Sequence, residues 1–158
     1  MHSNIIDKWR ELGASGSFLG NPTGSEGVCP DGIGHYAHFD GGSIHWHPSH
    51  GAQATWGEVL EEWARSGWER GSFGYPVQDV RDVGASEYLF GLMGACDDGS
   101  ASLSAEKVAE MGRFENGSIL VHYSGQLQLR WTDGNIKIKE GNLLRKVLSV
   151  FHGDTPAL

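Results

Sequence analysis

Apolar positions recur every three to four residues twice along this chain, and each time the pattern breaks at a glycine. Ile5, Ile6, Trp9 and Leu12 form one stripe, which predicts a helix over residues 4–12 ended by Gly13. Val59, Leu60 and Trp63 form the other, in a helix predicted over residues 55–66 that stops at Gly67. Glu58, Glu61, Glu62 and Arg65 make its wet face. Further on the period becomes two. Residues 36–46 alternate around Asp40-Gly41-Gly42 and predict a β-hairpin; residues 112–123 do so around Glu115-Asn116-Gly117, where Asn-Gly is a strong turn signal. Leu127, Leu129 and Trp131 alternate with Gln128 and Arg130 in a further strand. The remaining expectations are a helix over residues 101–111, a short strand over 135–139 and a terminal helix over 143–151.

The two halves use the same landmarks. Trp9 and Trp63, Gly13 and Gly67, Gly20 and Gly74, and Pro22 and Pro76 all stand 54 positions apart. Phe39 and Phe114, like Ile44 and Ile119, stand 75 apart, so the second half carries about 21 extra residues, placed within 79–113. A fixed period of this size marks a repeat architecture, whose insertions form loops on one face. The expected fold is α+β: two diverged helix–turn–β-hairpin repeats in a single domain, 1–158. Repeat one spans 5–54. Repeat two spans 55–131 with a helical insertion at 79–113, and a C-terminal extension covers 132–158. The length suits one domain. Two repeats are few for a stack, which predicts self-association or a larger parent protein.

Composition narrows the partners. The net charge of −8 argues against nucleic acid, whose binders carry a basic patch. No run approaches the roughly 18 apolar residues of a membrane span, so no membrane insertion is expected. The polar start, Met1-His2-Ser3-Asn4, predicts either a cytoplasmic protein or an exported one whose leader has been removed. Cys29 and Cys96 both lie in Gly/Asp-rich loops; a disulfide and two free thiols are equally open. Glycine is used at roughly twice its average rate, at fixed turn positions.

Two constellations could carry chemistry. His35, His38, His45, His47 and His50 crowd one hairpin, and His45 and His47 share a strand face at His-x-His spacing, with His38 as a third nitrogen. A metal site on His38, His45 and His47, and with it a His-based hydrolase, is the weaker reading, because the repeat frame explains these positions better as exposed polar aromatics. The stronger reading is sugar binding. Pyranose C–H faces stack on aromatic rings while hydroxyls take hydrogen bonds. Tyr36, Trp46, Trp56, Trp68 and Tyr75 are the candidate rings, and Asp40, His45, His47 and Gln53 their polar partners. Catalysis finds little support: there is no Gly-x-Ser-x-Gly elbow and no phosphate-loop lysine. Cys29 would be an activated thiol only if His35 or His38 met it in space.

The phrase running from Gly34-His35-Tyr36 through Phe39, Gly41-Gly42-Ser43-Ile44, Trp46, Pro48 and Gly51-Ala52 resembles the LGFP repeat. So does its continuation through Val59, Trp63, Gly67-Trp68-Glu69 and Phe73-Gly74-Tyr75-Pro76. His45-Trp46 and Leu120-Val121 stand where that family has Tyr-Trp. The resemblance implies an actinobacterial-type cell-envelope or secreted module that binds polysaccharide, without catalysis and without a cofactor. A protein–protein interaction module is the main alternative.

Overall fold

Helix α1 (Ser3–Glu11) forms where the first apolar stripe was read, and it buries Ile5 completely while Trp9 and Leu12 pack beside it. The computed structural model describes residues 3–84 and 107–140. α1 lies on a four-stranded antiparallel sheet in the order β1 (Gly27–Val28), β2 (His35–Phe39), β3 (Gly42–His47), β4 (Gly51–Trp56). α2 (Gly57–Arg65) follows directly. A second antiparallel sheet of five strands completes the chain, in the order β5 (Arg81–Gly84), β6 (Lys107–Phe114), β7 (Gly117–His122), β8 (Gln126–Trp131), β9 (Ile136–Glu140). The molecule is therefore mixed α+β.

Strand alternation decides the layering. On β2–β4, Ala37, Phe39, Ile44 and Ala54 point to α1 and form one core. The intervening residues point the other way, towards α2 and the turn after it. There Trp63 meets His45 edge-on, with ring centroids 4.6 Å apart. Val59 and Trp63 also pack on Phe114, Ile119 and Leu129 of the second sheet. Helix α2 is thus sandwiched between the two sheets, whereas α1 covers an outer face.

The same contacts recur in both halves. Trp9 Nε1 donates to Gly20 O (2.9 Å) and Trp63 Nε1 to Gly74 O (3.0 Å). Asp40 Oδ2 accepts from Asn21 N (3.0 Å), as Glu115 Oε1 does from Tyr75 N (2.7 Å). Gly20 and Gly74 have φ of +70° and +76°, and a Cβ on either would run into Asp40 or Glu115. The fixed glycine of each phrase is required by handedness and by space together. The outer edge of β4 is closed by the segment after Tyr75-Pro76: Val80 N donates to Ala54 O (3.0 Å) and Ala54 N to Asp79 Oδ1 (2.7 Å). Lys8 of α1 holds the other oxygen of Asp79 (2.9 Å), so one carboxylate pins a helix and blunts a sheet edge.

Three expectations change. Residues 107–111, read as part of a helix over 101–111, belong to β6, because Met111 and Ala109 alternate inward against Leu120 and His122 in the antiparallel register. The rest of that segment, Cys96 and residues 143–151 lie outside the described residues. The predicted second helix starts two residues late, since Thr55 and Trp56 complete β4. Strand β4 itself carries the short side chains of Ala52 and Ala54 ahead of Trp56 on its α1-facing side, too weak an alternation for a strand to be read there.

Candidate functional site

The inner face of the first sheet collects Tyr36 and His38 from β2 and His45 and His47 from β3. Register places Tyr36 opposite His45, and their rings lie side by side at 5.6 Å with 19° between planes. Trp68, from the 3-10 turn Trp68–Arg70 after α2, folds back over them: 5.7 Å from His45 at 27°, and 5.5 Å from His38. Trp63 closes the base, 5.3 Å from Trp68. Four aromatic rings, Tyr36, His38, His45 and Trp68, thus border a cavity of about 380 Å³, with Glu69 and Arg70 on one side and Val28 and Pro30 on another. The volume lies within the ~300–1,000 Å³ of ligand pockets. A more open hollow of about 510 Å³, by His50, Arg113 and Glu115, lacks this aromatic wall.

Local structure explains how the turn reaches the sheet. Gly67 takes a left-handed φ of +112° to end α2, and Trp68 follows at φ +58°. The matching residues of the first half, Gly13 and Ala14, have φ of +114° and +54°. The strained turn is common to both halves; the indole is particular to the second. Gly27 makes room for Tyr36, since a Cβ there would run into the phenol ring.

The cavity is electrostatically quiet at its floor. His45 is 2% exposed, and burial, then His38, lowers its pKa to about 3. Its Nδ1 has no hydrogen-bond partner, and its Nε2 stands 4.0 Å from Glu69 Oε2, beyond hydrogen-bonding range. It therefore acts as a neutral aromatic plate. His38, also lowered by burial, has Nδ1 2.6 Å from Ser43 Oγ.

Of the residues singled out from sequence, Tyr36, His38, His45 and Trp68 meet in this cavity. His47 and Tyr75 adjoin it as a pair, rings 4.6 Å apart, and Gln53 ties its amide to His50 O (2.7 Å). Trp46 sits on the opposite sheet face beside His35 (5.7 Å), half-buried in the α1 core. Trp56 points the same way and packs on Phe18 (4.4 Å). Asp40 caps the Asn21 amide. Glu69 and Arg70 were not singled out as ligand contacts; Glu69 stood in the Gly67-Trp68-Glu69 phrase, and adjacency to it was the only signal for Arg70.

The metal reading loses its geometry. His38 and His45 meet edge to face with centroids 6.4 Å apart, while His47 turns to Tyr75 and His50. Among the described residues, no three of His, Cys, Asp and Glu are grouped to hold an ion. Cys29 is a buried free cysteine whose pKa is pushed up to about 11 by burial, and His35 pairs with Glu26 (2.9 Å) instead. Among the described residues, no helix is long and apolar enough to cross a membrane.

Residues 19–71 match the family model of the LGFP repeat. That segment carries the whole cavity: both hairpin strands, α2 and the Trp68 turn. No curated protein matches the chain.

Proposed function

We propose that this chain, whose residues 19–71 match the LGFP repeat, a family found in cell-envelope proteins, is a non-catalytic module that binds an envelope or other extracellular polysaccharide. It does so in the cavity between the first sheet and the Trp68 turn. In this reading the second half is a diverged copy of the first. The observation that carries the reading is the neutral aromatic wall of Tyr36, His38, His45 and Trp68 with Glu69 and Arg70 at its edge. Apolar plates beside polar side chains suit the two-sided chemistry of a sugar ring. In the second half Met111, Arg113 and Leu120 stand at the Tyr36, His38 and His45 positions, so one site per chain is expected.

Isothermal calorimetry against a panel of envelope polysaccharides, with and without chelator, tests this. Binding to one polysaccharide, unchanged by chelator and reduced about tenfold or more in Trp68→Ala, is the expected result. Alanine occupies the equivalent backbone position at Ala14, so this variant keeps the turn. Silence across the panel, or unaltered binding by Trp68→Ala, overturns the assignment.

A further inference from the structure

The cavity has a neighbour. Beyond the His38–Trp68 ring pair lies a second hollow of about 330 Å³, bordered by the Asp40-Gly41-Gly42 turn, Ser43 and, on α2, Leu60 and Glu61. His38 and Trp68 line both hollows, so their touching rings, 5.5 Å between centroids, form a saddle between them. Each lobe offers aromatic surface from the shared rings and carboxylates from its own rim: Glu69 on one side, Asp40 and Glu61 on the other.

We infer that the two lobes act as one groove for a linear glycan, holding consecutive sugar units on either side of the His38–Trp68 saddle. This rests on the polysaccharide reading above and adds to it a requirement for chain length. A single enclosed pocket would select a terminal sugar, whereas two lobes sharing a ridge accept the interior of a chain. Both lobes are open, as a chain that enters and leaves requires. The ridge is rigid: Ser43 Oγ holds the His38 ring through Nδ1, and Trp63 supports Trp68 from beneath. No charge is needed on the saddle, consistent with the half-burial of His38 and the full burial of His45 behind it.

A ladder of cello-, xylo-, manno- and chito-oligosaccharides from one to six units, titrated by calorimetry, reads the length dependence. Glu61→Trp fills only the second lobe from an exposed helix position and should fold normally, which its melting temperature checks. Affinity should rise about tenfold or more from one unit to the longer members of one series. Glu61→Trp should remove that rise while leaving the single unit's affinity unchanged. A flat ladder, or a rise that survives Glu61→Trp, overturns the two-lobed groove and leaves polysaccharide binding standing. A silent ladder overturns it too, and removes the polysaccharide reading only if the intact polysaccharides are silent as well.

Discussion

Tyr75 donates its phenol hydrogen to Asp31 Oδ2 over 2.6 Å, joining two turns that stand 44 residues apart. The contact ties the β1–β2 loop to the Phe73-Gly74-Tyr75-Pro76 turn, beside the Trp68 cavity. Burial, then Asp31, raises the Tyr75 pKa, so the hydroxyl remains a donor throughout the neutral range. The Tyr75 hydroxyl, followed by the Gly34 and Ile33 amides, holds the Asp31 carboxyl below its ordinary value.

Tyr75→Phe should therefore cost about 1 kcal/mol at pH 7, the carboxylate being exposed and screened. Asp31 has the depressed pKa of a carboxylate stabilised when ionised. Its contribution is present above its unfolded value, about pH 4, and fades as pH falls through its folded value. Urea denaturation of wild type and Tyr75→Phe at pH 7 and pH 3 should show the difference shrinking in acid. An equal difference at both values would detach the hydroxyl from Asp31.

His45 should make the fold acid-sensitive. Its folded pKa, about 3, lies well below the ordinary 6.5, so the unfolded chain binds the extra proton between those values and stability falls as pH drops through that window. His45→Leu copies the residue at the matching position, Leu120, which is fully buried. At pH 5 the variant should recover about 2 kcal/mol relative to its standing at pH 8. Parallel pH–stability curves for the two proteins would contradict a neutral buried imidazole.

The paired tryptophans should not be equivalent. Trp63 is fully buried between two sheets, so Trp63→Ala should cost about 3–5 kcal/mol. Trp9 makes the same indole bond but is only half-buried, on an outer layer. Trp9→Ala should cost clearly less, as read from urea midpoints. Equal losses would mean that the sandwiching of α2 adds no stability.

Glu62, buried on α2, accepts from Arg65 (2.6 Å) and from Lys139 of β9 (2.8 Å). Removing it leaves two partners able to reach water, so Glu62→Ala should cost about 1–2 kcal/mol rather than the ~3–5 of a fully buried pair. A double-mutant cycle with Lys139→Met should return a favourable coupling. Zero coupling would detach β9 from α2.

Much of this protein is legible locally. Stripes at Ile5/Trp9 and Val59/Trp63 place both helices, because helical spacing gathers them on one side. The left-handed glycines mark both turns, because few other residues tolerate that backbone, and alternation around Phe39 and Phe114 places the hairpins. Residues 107–111 of strand β6 escaped because a periodicity over 101–111 cannot reveal that Met111 has a cross-strand partner nine residues on at Leu120.

By itself, then, the sequence determined both helices, the two hairpins and the strands after the second, their order, and the fact that His45 and Trp46 point to opposite faces of β3. Only the tertiary structure decided which face lies under the Trp68 turn. That choice took Trp46 into the α1 core and assembled Tyr36, His38, His45 and Trp68 around a cavity. The physical reason is that alternation is a property of one strand, whereas the covering of a face depends on where the chain returns after α2.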